Sequence, residues 1–171
     1  YTSEQEKEIF EYLEKNDPLL LLYIKFISFN FLRPVEVNRL LVKSINLKEK
    51  KLSVKTKTNK LKTKIIPDIL LQELPDLSQL NQDNYLFTPH GFGLEWVAEE
   101  NNRRDSFSKR FKTVIKDHFN LGSEYGLYSF RHTFITKLYR NLRENKSPHE
   151  TKGILMNITG HVTMDALEKY L

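Results

Sequence analysis

Residues 17–37 read DPLLLLYIKFISFNFLRPVEV, and this stretch decides the fold. Leu19 to Phe31 is the longest apolar run of the chain, broken by Lys25, Ser28 and Asn30. It is shorter than the roughly 20 residues a bilayer span requires, so it predicts a buried helix and no membrane segment. Asp17 is placed to cap that helix, with Pro18 at its first position, where a missing N–H costs nothing. A helix that is apolar nearly all round has no face for water and must be surrounded by other elements. Leu32-Arg33-Pro34 ends it.

Working outward, Ser3 and Glu6 stand at capping-box spacing, and Ile9, Phe10 and Leu13 recur at helical intervals up to Pro18. On the other side, Val35 to Val42 keeps a helical period. Ile45-Asn46-Leu47, Lys51 to Lys55 and Lys62 to Ile66 then alternate with period two between polar turns, which predicts a small antiparallel sheet. A helix is predicted from Pro67 through Leu74, then a polar connector to Tyr85-Leu86-Phe87, and a loop from Thr88 to Arg104 in which Gly91-Phe92-Gly93 is a flexible corner. Asp105 or Ser106 is the expected cap of a helix with Phe107, Phe111, Val114, Ile115 and Phe119 on one side and Lys109, Arg110, Lys112 and Lys116 on the other. Ser129 is the expected cap of a helix carrying Arg131, Ile135, Leu138 and Leu142. Ser147-Pro148 opens another that ends at Gly160, and Thr163 starts a last one reaching Tyr170. The fold class is mainly α with a small antiparallel β-sheet (α+β), in one domain over residues 1–171.

With 171 residues, 39% of them hydrophobic and 12% aromatic, the chain has the material for one sizeable core. It contains no Cys, which excludes disulfides, thiolate zinc sites and a thiol nucleophile, and points to a reducing, cytoplasmic compartment. Lys and Arg number 27 against 22 acids, a formal +5 with a pI near 9.2. The charge is patterned: residues 1–17 hold six acids and two lysines, residues 48–64 eight lysines and one acid. Such patterning favours a polyanionic partner. His90, His118, His132, His149 and His161 show no metal-ligand spacing, and no glycine-rich phosphate loop exists, so neither metal nor cofactor is expected.

What remains is an ordered set: Arg33-Pro34-Val35-Glu36-Val37, a lysine-rich hairpin, Tyr128-Ser129-Phe130-Arg131-His132, Ile158-Thr159-Gly160-His161, and Tyr170 nine residues after His161. In these motifs and their order the sequence resembles the catalytic domain of the tyrosine recombinases, the phage integrase family, over nearly its whole length. The resemblance implies a site-specific recombinase that cleaves and rejoins DNA strands through a 3'-phosphotyrosyl intermediate on Tyr170. Arg33 and Arg131 are then the phosphate ligands, which suits a guanidinium because it stays charged and presents a planar fork of donors. A hairpin lysine supplies the proton to the leaving 5'-oxygen; Lys57 is the first choice and Lys60 the reserve. His161 occupies the family's late His or Trp position. Tyr128 stands where the family usually has His, and a phenol is a poor proton acceptor at neutral pH. His132, about 100° round the helix from Arg131, is expected to pack in the core.

Lys55, Lys60, Lys62, Lys64, Lys109 and Arg110 are the expected contacts to the backbone of double-stranded DNA. The resemblance further implies a homotetramer on DNA for the whole protein, and an N-terminal DNA-binding domain and C-terminal tail beyond this stretch. Two other readings stay open from the residues alone: type IB topoisomerase-like DNA relaxation, and a non-catalytic DNA-binding module.

Overall fold

A computed structural model of the protein describes residues 1–56 and 60–159, apart from the side chains of Asn101, Arg104, Asn157 and Thr159. The first helix, α1 (Ser3–Asn16), is capped by Thr2 and not by Ser3: the Thr2 hydroxyl accepts the Gln5 N–H at 3.1 Å and the Gln5 side chain accepts the Thr2 N–H at 2.8 Å. Two capping-box frames overlap in this stretch. Glu6 is unavailable to the second because it is buried and paired with Lys137.

α2 (Pro18–Asn30) is the central helix, with Asp17 Oδ1 accepting the Leu20 N–H at 3.1 Å. Leu20, Leu21, Tyr23, Ile24, Phe26 and Ile27 are all buried on it. Around it pack α1, α3 (Pro34–Arg39), α4 (Asp68–Leu71), α5 (Glu100–Phe111) and, further along the chain, α7 (Leu127–Arg143). α5 runs on through a π-helical stretch, Lys112–Lys116, into the short α6 (Asp117–Phe119). Phe107, Phe111 and Ile115 are buried from this segment, and the Phe107 ring stacks on Tyr23 at 4.3 Å. The last described helix, α8 (Pro148–Thr159), is capped by the Ser147 hydroxyl, which accepts the Glu150 N–H at 3.1 Å, and packs against α7.

A three-stranded antiparallel sheet of order β1 (Ile45–Asn46), β2 (Lys51–Lys55), β3 (Leu61–Ile65) lies beside α3. Its register pairs Leu52 with Lys64 and Val54 with Lys62, so buried aliphatics of β2 share a face with two lysines of β3. The opposite face carries Leu61 and Ile65, 69% and 73% exposed. β3 thus turns its charged side chains inward and its apolar ones outward, the inverse of the usual alternation.

Several expected boundaries shift. α3 stops at Arg39, after which Leu40 and Leu41 are extended and Val42–Ser44 form a 3-10 turn, because backbone groups there join strand β4 (Tyr85–Thr88): the Leu86 N–H donates to Leu40 O at 2.9 Å. The predicted helix 67–74 is regular over Asp68–Leu71. Part of the expected loop 88–104 is strand β5 (Gly91–Leu94), hairpin-paired with β4, and Gly93 takes a φ of 73° that other residues rarely adopt. α5 starts at Glu100, five residues before the expected cap Asp105. α7 starts at Leu127, and Ser129, inside its first turn, accepts the Gly126 N–H through its hydroxyl at 3.1 Å. The predicted elements beyond Thr159 lie outside the described residues.

Phe31 ends α2 in the left-handed region, φ 54° and ψ 36°. For a residue with a side chain this conformation costs about 1–2 kcal/mol. It reverses the chain and delivers Arg33 to the entrance of α3.

Candidate functional site

Arg33 precedes Pro34, which fixes it in an extended conformation at the start of α3. Three residues on, Glu36 is buried at 1% exposure, and its Oε1 accepts the Arg33 backbone N–H at 2.9 Å. The Arg33 Nη1 lies 3.8 Å from the same oxygen and leaves the side chain one-third exposed. Lys62 of β3 reaches the other oxygen, Oε2, at 3.0 Å.

From the opposite side comes Arg131, in the second turn of α7. It is the largest fully buried side chain among the described residues, at 0% exposure. Its Nε donates to the Phe31 carbonyl at 2.8 Å. Lys64 of β3 donates to the Asn30 carbonyl at 2.8 Å and to the same Phe31 carbonyl at 3.3 Å. Tyr128, one turn before Arg131, is exposed, with its hydroxyl 3.5 Å from Arg131 Nη1.

The site therefore gathers Arg33, Lys62, Lys64 and Arg131 around one carboxylate, Glu36. Burial pulls Lys64 down to about 6, with the charges of Lys62, Arg131 and Arg33 acting in the same direction against Glu36. Burial, then the neighbouring Arg33, takes Arg131 to about 10, still charged at neutral pH. Lys62 is lowered first by burial and is then partly restored by Glu36. Burial alone would raise Glu36, but the Arg33 N–H and the Lys62 ammonium more than offset it and hold the carboxyl below its ordinary value. Like charges packed out of water disfavour one another, and an anion entering between them relieves the cost. A phosphate diester has that charge.

The remaining expected residues fall elsewhere. Lys55, Lys60 and Lys109 are exposed, the first two beside the β2–β3 turn and the third on α5. Lys62 and Lys64, expected as DNA-facing strand lysines, point inward because β3 is inverted. Arg110 also turns inward: its Nε and Nη2 grip Asp17 at 2.7 and 2.8 Å, and its Nη1 donates to the Pro89 carbonyl at 3.1 Å, which clamps α5 to the start of α2. His132, expected in the core, is exposed, since 100° of rotation from a buried Arg131 carries it to the outer face of α7. Lys57, His161 and Tyr170 lie outside the described residues. Two components had no role in the expectation: the Phe31 carbonyl, which carries no side-chain signal at all, and Glu36 as the hub between Arg33 and Lys62. An acid three residues after an arginine, buried behind a proline turn, was the available signal for the second.

Comparison with known proteins gives a consistent family signal. The phage integrase family profile matches residues 1–170. The chain is similar in structure to XerA recombinase, with a TM-score of 0.71 at 16% identity over 99% of this chain and 58% of that one. It is similar to the Tn1549 transposon integrase in complex with a circular intermediate DNA, at 0.71 and 14% over 99% and 60%. It also matches the XerH site-specific recombinase bound to its difH substrate, at 0.67 and 17% over 100% and 50%. A search of curated protein sequences finds no match. The chain thus spans between half and three-fifths of the length of these solved relatives, and the likeness is one of fold.

Proposed function

The chain belongs to the phage integrase family, and from that premise we propose that it is the catalytic domain of a site-specific DNA recombinase acting on duplex DNA. The observation that carries this reading is the convergence of Arg33 and the buried Arg131 in a cluster whose positive charges outnumber its single carboxylate.

In this reading the two guanidiniums hold the non-bridging oxygens of one phosphodiester and neutralise the charge that builds as phosphorus becomes pentacoordinate. The Tyr170 phenolate attacks phosphorus, the bond to the 5'-oxygen breaks, and a 3'-phosphotyrosyl link forms. Lys57, two residues past the end of β2, donates the proton that makes the leaving group a 5'-hydroxyl, with Lys60 the alternative. His161 hydrogen-bonds a non-bridging oxygen. Because the phosphodiester is exchanged for a phosphotyrosyl ester, a second 5'-hydroxyl can reverse the step and complete strand transfer without a nucleotide cofactor. Tyr128 supplies a hydrogen bond where the family usually places an imidazole. Lys55, Lys60 and Lys109 meet the DNA backbone. On DNA the whole protein acts as a homotetramer.

The test is to incubate the protein with a nicked suicide duplex of its attachment site, taken from the DNA flanking its gene. A covalent adduct that resists detergent and is absent for Tyr170→Phe supports the reading. No adduct on a duplex that the protein binds specifically would overturn it in favour of a DNA-binding module.

A further inference from the structure

β3 is an unusual strand: it hides Lys64 at 8% exposure and leaves Ile65 and Leu61 in solvent. Inverting a strand this way forgoes apolar burial, so the inward lysine calls for a reason. What it touches supplies one. Its Nζ bridges two successive carbonyls, Asn30 and Phe31, at the point where α2 breaks into the left-handed conformation of Phe31.

The Phe31 carbonyl is a shared acceptor. It receives Lys64 from β3 and Arg131 Nε from α7, elements far apart in sequence, and Arg33 follows only two residues later. A carbonyl has two lone pairs, so it can serve both donors at once. Left-handed backbone at a residue with a side chain persists only where its surroundings over-determine it. Lys64 is one of the two side chains seen to do so here, and the groups that face it (Lys62, Arg131, Arg33 and Glu36) are those of the cluster itself.

We propose that Lys64 is a positioning residue: by holding the Asn30 and Phe31 carbonyls it fixes the acceptor on which Arg131 is aimed and sets the approach of the chain to Arg33. It does not touch the reacting phosphate. Its consequence for strand cleavage rests on the reading of Arg131 as a phosphate ligand; its structural part does not.

The experiment follows arginine Nε–Hε resonances of the isotopically labelled protein and measures their exchange with solvent. In the unaltered protein the Arg131 Nε–H exchanges slowly. In Lys64→Met it exchanges at least about tenfold faster, while the Arg110 Nε–H, bonded to Asp17 in another part of the fold, keeps its rate. An unchanged Arg131 rate in Lys64→Met overturns the proposal, as does an equal acceleration at Arg110, which reports general loosening. Should Lys64→Met not fold, Lys64→Leu, which also removes every side-chain donor, takes its place, and the same two outcomes decide. On the suicide duplex, adduct formation by Lys64→Met falls by about 10-fold or more, the scale of a misaimed group. Faster Arg131 exchange with undiminished adduct formation upholds Lys64 as a positioner and overturns the reading of Arg131 as phosphate ligand.

Discussion

Arg131 is fully buried and its Nε is fixed on the Phe31 carbonyl, which orients the plane of the guanidinium. A lysine at that position would keep a charge but lose the planar fork. Arg131→Lys and Arg33→Lys are each expected to slow covalent adduct formation by about 10²–10³, the range for removing one aimed donor from a transition-state site, with unchanged circular dichroism. Lys64 gives a different signature. Its pKa is about 6 when folded against an ordinary 10.5, so between these values the unfolded chain binds more protons than the folded one. Stability contributed through this group therefore rises as pH increases from 6 towards 10. The urea midpoint is expected to climb between pH 6 and 9, and Lys64→Met to flatten that climb; a slope unaltered by the substitution contradicts the depressed pKa. Of the residues in this cluster, Arg33, Arg131 and Tyr128 were legible because their motifs are made of side chains in a fixed order. The Phe31 carbonyl was not, since any residue type presents the same oxygen.

Among the elements, α2 was readable from its apolar run, and its cap and proline fell where the sequence placed them, because burial on all sides leaves no competing register. The hairpin β2–β3 was readable as strands but not as to facing. Alternation says which residues share a face and not which face is inside, and in Leu61–Ile65 the lysines won the inward side because Glu36 and the Asn30 and Phe31 carbonyls wait there. β5 and the first turn of α5 were missed for a related reason: glycines at 91 and 93 read as a corner, yet the hairpin uses their permissive backbone, and Thr88 ties the turn by accepting the Gly91 N–H at 3.2 Å. The Asp17–Arg110 clamp joins two helices and caps one of them. Asp17→Ala is expected to lower unfolding free energy by about 1–3 kcal/mol in urea titration, from the lost cap and the stranded guanidinium together, whereas Lys109→Gln on the exposed face leaves it within about 0.5 kcal/mol.

Over the whole molecule, the charges of the described residues divide into an internal set, at the site and in the Asp17–Arg110 clamp, and an external set that meets solvent. Only the external set is expected to govern how DNA binding responds to salt. Duplex affinity is expected to fall with salt, and Lys55→Gln, Lys60→Gln and Lys109→Gln each to reduce the logarithmic salt slope by about 1, as for a lost phosphate contact. Arg110→Gln is expected to leave that slope unchanged while lowering stability, since its donors are engaged by Asp17 and Pro89. The presence of most described helices, the small sheet and the order of the motifs were within reach of the sequence; the inward lysines were not, because their partners come from α2 and α3, which only the folded chain brings beside β3. The most direct measurement of the central claim, that Arg33 and Arg131 neutralise one phosphate, replaces the scissile phosphate of the suicide duplex by a methylphosphonate, which lacks one of the two charged oxygens. Adduct formation by Arg33→Ala and Arg131→Ala is predicted to recover towards that of the unaltered protein on this substrate, for the charge they offset is gone. Defects equally deep on phosphate and methylphosphonate would contradict it.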